Sequence, residues 1–145
     1  MSKPKISIDI QVIPRGERTA DFWVAMGPCF ASEVIRRDLP TLHDEADNDV
    51  WFLAYQKSAL VSFACLRFNK RGDVATLAHH WADESVRGKG IAEAMFDARV
   101  ELAKEAGAKK LRSVVHNESL DAFLRAGFEV LVERAKFTTV EMDLE

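Results

Sequence analysis

Apolar and polar positions alternate through KISIDIQVI, residues 5–13, which predicts a half-buried opening strand stopped by Pro14 and Gly16. From Glu17 to Leu39 the apolar residues Phe22, Trp23, Met26, Phe30, Val34, Ile35 and Leu39 recur at helical intervals. An interruption at Gly27-Pro28 predicts two short helices there. The turn-forming cluster HDEADND then gives way to WFLAYQ and ALVSFACLRF, two β-rich runs separated by Lys57-Ser58, and a turn at residues 69–73 leads into VATLAHHW. Three consecutive strands in this pattern make an antiparallel meander.

After Gly90 the residues Ile91, Met95, Ala98 and Leu102 step along one helical face, with Asp97 and Glu101 turned away and Gly107 as the stop. A short strand, LRSVV, follows. Asn117-Glu118-Ser119 opens a further helix that runs through Phe123 and ends at Gly127, and FEVLVER and FTTVEMDL close the chain as strands. The expected fold class is α/β in the mixed α+β sense. It has a central, mostly antiparallel sheet of about six to seven strands flanked by about four helices.

The composition, 145 residues with 48% hydrophobic content, suits a single domain spanning 1–145 with a real core. A net charge of −3 leaves no electrostatic footprint that would make nucleic acid the default partner. No run of about 18 apolar residues is present, and MSKPKISIDI lacks the apolar region of a secretion signal, so a soluble, cytoplasmic protein without a membrane partner is expected. Cys29 and Cys65 are far apart and without metal-ligand spacing, which predicts reduced, buried thiols and no metal site. Cys65 as a nucleophile is the alternative, but its neighbours in VSFACLRF spell a strand.

Candidate chemistry concentrates in HHWADESVRGKGIAEAMF, residues 79–96, where a strand gives way through a glycine-bearing loop to a helix. A helix N-terminus leaves N–H groups without intrahelical partners and carries partial positive charge, so such a loop can cradle phosphate oxygens. The Walker pattern fails because Gly88-Lys89 is followed by Gly90-Ile91 rather than Ser or Thr. The dinucleotide pattern fails because its third glycine position is Glu93.

What remains, Arg87-Gly88-Lys89-Gly90-Ile91-Ala92, resembles the pyrophosphate loop of the GNAT superfamily of acyl-CoA-dependent N-acyltransferases. The order of elements resembles that family along nearly the whole chain, and NESLDAFLRAGFEV resembles its second signature, an asparagine followed by a helix ending in Gly-Phe. The resemblance implies that acetyl-CoA is the cosubstrate and that backbone N–H groups of Arg87, Gly88, Lys89, Gly90, Ile91 and Ala92 hold its pyrophosphate. It also implies that the chain near Ala82 meets the pantetheine arm where two strands splay apart, with Asn117 lining the same cleft. A helix N-cap is the other role open to Asn117.

By the same resemblance the reaction transfers an acetyl group directly to an amine, which must arrive unprotonated. The family's usual base positions map onto Thr76 and Ala78, neither of which takes a proton. Strand alternation puts His80 on their face and His79 on the other with Leu77 and Trp81, so His80 is the first candidate base. His79 is the second, should a bulge shift the register. An ordinary imidazole titrates near pH 6.5, which suits the task. Asp83 and Glu84 read as solvated loop acids.

The family's thiolate-protonating tyrosine is replaced by Phe123, and the spacing from asparagine to glycine is one residue short, which brings His116 into consideration. Acceptor recognition is expected from the first two helices and the following loop, including Trp23, Phe30, Arg36, Arg37, His43 and the acids Asp44, Glu45, Asp47 and Asp49. These acids read either as an attractor for a cationic amine or as a solvated surface. The partners implied are acetyl-CoA and an amine acceptor, with a homodimer admissible. The alternative functions are a CoA-binding module with altered or lost catalysis and an acyltransferase acting on a modified nucleobase.

Overall fold

The computed structural model describes residues 6–144. The first residue of the expected opening strand, Lys5, lies outside them. Seven strands form one sheet: β1 (Asp9–Ile13), β2 (Asp49–Gln56), β3 (Ala59–Phe68), β4 (Val74–Ala82), β5 (Lys110–His116), β6 (Glu129–Glu133) and β7 (Phe137–Asp143). Their spatial order is β1-β2-β3-β4-β5-β7-β6. Every neighbouring pair is antiparallel except β4 and β5, which run parallel from Val74 opposite Lys110 to Leu77 opposite Ser113. With helices α1 (Ala20–Ala31), α2 (Glu33–Asp38), α3 (Ile91–Glu105) and α4 (Leu120–Arg125), this is the mixed α/β class that the residue pattern predicts.

The sheet separates two apolar clusters. On one face Phe52, Leu66, Leu77 and Leu111 pack with Ile91 and Met95 of α3 and with Phe123 of α4. On the other, Trp51, Leu53, Phe63 and Cys65 pack with Phe22 and Met26 of α1 and Ile35 of α2. At about 25 cal/mol per Å2 of apolar surface removed from water, enclosing such side chains on both faces supplies the main stabilisation.

The first helical segment does not break at Gly27-Pro28, since α1 continues through Pro28 to Ala31. A proline in a helix strands the carbonyl four residues back, which here belongs to Val24. Val24 and Pro28 both lie on the solvent side, where water can reach that carbonyl. The break comes at Ser32. Its extended backbone ends α1, its N–H donates to the Cys29 carbonyl (3.2 Å), and its Oγ caps α2 by accepting from Ile35 N–H (3.2 Å). Between β2 and β3, Lys57 and Ser58 both adopt positive φ, the geometry a tight two-residue hairpin demands even without glycine.

The acids of the 43–49 loop are mostly committed to internal pairing, which fits neither a solvated surface nor a free attractor for a cationic amine. Asp44 accepts from Arg18 Nε (2.8 Å) and from the Trp51 indole N–H (2.8 Å). Asp49, fully enclosed, accepts from Arg67 Nε (2.7 Å) and Nη2 (2.9 Å) and from the Glu45 backbone N–H (2.7 Å). Glu45 in turn accepts from His43 Nε2 (2.9 Å). These bonds fasten the loop to β2 and β3, and Asp47 stays exposed.

Removing the enclosed carboxylate strips Arg67 and the Glu45 N–H of their partner. Asp49→Ala is therefore expected to cost about 2–4 kcal/mol, while Asp47→Ala stays within about 0.5 kcal/mol of the parent. Urea unfolding of the two variants measures the difference directly, and equal midpoints would contradict this account.

Candidate active site

The loop after β4 is built to present backbone donors. Asp83 caps a single 3-10 turn, Glu84–Val86, by accepting from Ser85 N–H (3.1 Å). Arg87 folds back so that its Nε donates to the Ala82 carbonyl (2.8 Å). Gly88 (φ +75°) and Gly90 (φ +86°) both sit in the left-handed region that side chains disfavour. Gly90 is the N-cap of α3 and no side chain caps that helix, so the first-turn N–H groups of Ile91, Ala92 and Glu93 are free to meet an anion.

Beside this loop the parallel ladder stops. Beyond Leu77 and Ser113 β4 has no pairing with β5, while β5 goes on pairing with β7 as far as His116. A cleft of about 390 Å3 lies against this unpaired end of β4. Its walls include His80, Trp81 and Ala82 of β4, Arg87, Gly88 and Gly90 of the loop, and Ile91 and Ala92 of α3. The cleft therefore gathers most of the residues singled out from the sequence, together with Trp81, Asp38 and Glu93, which were not assigned to it.

Lys89 is exposed on the loop and Asn117 is elsewhere. Asn117 neither lines the cleft nor caps a helix. Its Nδ2 donates to the carbonyls of Arg134 (3.2 Å) and Ala135 (3.1 Å), and its Oδ1 accepts from the Thr138 hydroxyl (2.7 Å), holding the turn between β6 and β7. The neighbouring His116 is exposed and lies against Phe137, with ring centroids 4.4 Å apart. Phe123 packs on Phe128 at 5.2 Å, filling apolar space.

The histidine pair departs from simple alternation. Cys65 lies opposite Ala78, and the next pair is Ala64 with His80, so His79 is an inserted residue with no partner on β3. The bulge puts His79, and not His80, on the face of Thr76 and Ala78. There its ring stacks on Trp51 (6.2 Å, 11° between planes) and meets His43 edge-on (5.6 Å). His80 is turned to the α3 face and reaches the cleft wall from that side. The reading that put His80 on the face of Thr76 and Ala78 is overturned, and the bulged register in which His79 takes that face is the one the strand adopts; His80 lines the cleft from the α3 face instead.

Burial and local charge set the protonation of both rings. His79 is pushed down to about 4, first by loss of water and then by the cations Arg67 and His43. His80 is pushed down to about 4 by loss of water and by Arg99. Each has an enclosed Nε2 with no hydrogen-bond partner among the described residues. His43 moves the opposite way, raised by its bonds to the Thr41 carbonyl and to Glu45. Cys65 is enclosed, its thiol held well above the usual range by burial, which disposes of it as a nucleophile.

On the outer side of α1, Trp23 is half exposed and contacts Phe30 at 6.2 Å, while Arg36 donates to the Leu42 carbonyl (2.8 Å) and Arg37 stays exposed. Among the described residues no group of three or more His, Cys, Asp or Glu side chains is placed to hold a metal ion, and no helix is long and apolar enough to cross a membrane.

Sequence reasoning missed Arg99. The buried stripe of α3 is Ile91, Met95, Arg99 and Ala103, so an arginine occupies a core position of an amphipathic helix. That i, i+4 placement was the available signal. Ala98 and Leu102, assigned to the buried face from the sequence, are only partly covered.

The model of the Acetyltransferase (GNAT) family matches residues 19–128 of the chain. No curated protein sequence matches it. Among solved structures, ElaA of Escherichia coli is similar over 93% of this chain and 99% of its own, with 15% identity and a TM-score of 0.73. An IAA acetyltransferase from Bacillus cereus is similar over 95% and 100%, with 19% identity and a TM-score of 0.63. N-acetylglutamate synthase from Neisseria gonorrhoeae, solved with coenzyme A and N-acetyl-glutamate, is similar over 97% of this chain and 36% of its own, with 13% identity and a TM-score of 0.64. At these identities the likeness shows a shared fold.

Because His80 is neutral when folded and titrates near 6.5 when unfolded, the unfolded chain binds more protons between about pH 6.5 and about pH 4. Its contribution to stability is complete above that window and is lost as pH falls through it. His43, with a raised value, acts in the opposite sense, so the informative quantity is the difference between wild type and His80→Leu. Urea midpoints at pH 7.5 and pH 5.2 are expected to fall further for wild type than for the variant. Equal falls would show that His80 is not held neutral by the fold.

Proposed function

The chain belongs to the GNAT family of acetyltransferases, and from that premise we propose that it moves an acetyl group from acetyl-CoA to the amine of an acceptor by direct attack on the thioester. One observation carries the reading: the uncapped N-terminus of α3, introduced by two left-handed glycines, stands at the mouth of the gap between β4 and β5. The fit to an acyl-CoA is chemical. A pyrophosphate finds N–H groups and the positive end of a helix, and a polar, extended arm finds an unpaired strand edge near Ala82.

In this reading the backbone of residues 87–92 binds the pyrophosphate, and Arg87 shapes the loop through its bond to the Ala82 carbonyl. His80, in the cleft wall, is the group placed to take the proton of the attacking amine, and His79 sits behind it on the opposite face. With the ring pushed down to about 4, His80 stays neutral throughout the working range and is a weak base. The acceptor must then arrive unprotonated largely through its own ionisation, and the thiolate leaves as the anion, a thiol of pKa near 8.5 being a tolerable leaving group. A CoA-binding module without turnover is the second reading, favoured by Phe123 where the resemblance would place a tyrosine.

Acetyl-CoA at about 100 times its dissociation constant is expected to stabilise the protein by roughly 2.7 kcal/mol, read as a rise in melting temperature. Gly90→Val, which forces a β-branched residue to positive φ in the loop, is expected to abolish the rise, and Arg87→Ala to reduce it. No rise in wild type at millimolar acetyl-CoA would overturn the reading, whereas a rise with no free thiol released across a panel of amines would favour the binding module.

Turnover with two acceptor amines of different pKa separates the proton acceptors. The rising limb of kcat/KM against pH is expected to follow the amine, since His80 is already neutral above pH 5. His80→Ala is expected to lower kcat by about 100-fold without moving the limb, and His79→Ala to act mainly on stability. A limb that stays fixed near pH 6.5 for both amines would point to an unburied histidine base instead.

A further inference from the structure

Arg99 lies in the buried stripe of α3, 6% exposed, and no carboxylate among the described residues pairs with it. A charge in such a place is costly unless its hydrogen bonds are made, and an apolar side chain of similar volume would serve packing as well or better. The bonds it makes are specific. Its Nε donates to the Met95 carbonyl on its own helix (3.2 Å), and the single nitrogen Nη1 donates to the carbonyls of Cys65 on β3 (3.3 Å) and Ala78 on β4 (3.2 Å). Cys65 and Ala78 are the pair immediately before the register shift that inserts His79.

We propose that Arg99 is a positioning residue that clamps the β4 bulge from α3, fixing His80 on the cleft side and His79 on the opposite face. A bulge disrupts the ladder locally and frees backbone groups, so a second register, with one residue fewer inserted, competes with it. Bridging the two carbonyls beside the insertion favours the bulged register, because both must be close to one nitrogen. The clamp also ties the phosphate loop to the histidines, since α3 starts at Gly90 and carries Arg99 over two turns further on. The guanidinium, pushed down only to about 10, stays charged at neutral pH and helps keep His80 neutral.

The test uses Arg99→Met and Arg99→Lys in the whole protein. Because one nitrogen serves both carbonyls, a lysine ammonium can replace it, and methionine cannot. The first readout is the NMR titration of the histidine rings without any substrate. His80 faces Arg99 from α3. His79 faces Trp51 and Asp49 of β2, Arg67 of β3, and His43 and Glu45 of the loop. Arg99→Met is expected to raise the His80 midpoint and to shift the His79 ring signals on the far side of the sheet, which a change of charge at Arg99 alone would leave in place. Arg99→Lys is expected to restore both.

The second readout rests on the acyl-transfer reading: kcat is expected to fall by about tenfold or more in Arg99→Met with KM for acetyl-CoA within about twofold, and to recover in Arg99→Lys. A folded Arg99→Met with unaltered His79 signals and unaltered kcat overturns the proposal. If Arg99→Met does not fold, Arg99→Gln takes its place, and a lysine variant no closer to wild type than glutamine in His79 signals overturns it equally. Absence of turnover with every amine would defeat the acyl-transfer reading while the ring titrations still decide the clamp.

Discussion

A strand that leaves its neighbour exposes backbone groups that must find partners, and this requirement organises the centre of the molecule. Where β4 parts from β5 after Leu77, three of its carbonyls are taken by side chains. Ala78 accepts from Arg99, Trp81 from the Ser62 hydroxyl (2.6 Å) and Ala82 from Arg87. Ser62 is itself fully enclosed, so its hydroxyl is committed to that bond. These carbonyls are satisfied from within the protein, while the first-turn N–H groups of α3 stand without a side-chain cap beside them.

The β3–β4 ladder explains the two histidines. A one-residue insertion in β4 puts Ala78 and His79 on one face and turns His80 to the other, and each ring has an enclosed Nε2 and is held neutral. Neutrality has a cost in basicity: a ring pushed down to about 4 is a poor proton acceptor but does not repel an approaching cation. Such a site suits an acceptor that sheds its proton before reacting.

The glycine loop before α3 was legible in the sequence because its glycines answer a backbone demand that few other residues meet. Gly88 and Gly90 are both left-handed, and for Gly88 an added side-chain carbon would touch nothing, so the requirement is conformational rather than steric. The strands were legible from alternation and the meander from its turns. The bulge was not, since inserting one residue leaves no mark on a pattern of period two until the cross-strand partners are known. Pro28 misled in the other direction. It looked like a helix stop, but a carbonyl stranded on the solvent side does not end a helix, and Ser32, an unremarkable residue in the pattern, does.

Charge was the least legible feature, because composition counts acids without saying what they face. Asp44, Glu45 and Asp49 read as a solvated surface or as a field for a cationic amine, yet each accepts hydrogen bonds from Arg18, Trp51, His43, Arg67 or the backbone. An incoming ammonium would have to compete with guanidinium groups already in place, two of them bidentate, and such pairs are both the stronger and the more geometrically exacting kind. The carboxylates that line the cleft are instead Asp38 at the end of α2 and Glu93 in the first turn of α3, beside the Trp81 indole. Under the proposed function, selection among acceptors would fall to a wall that carries these two carboxylates, and not to the acidic run that the sequence displays most openly.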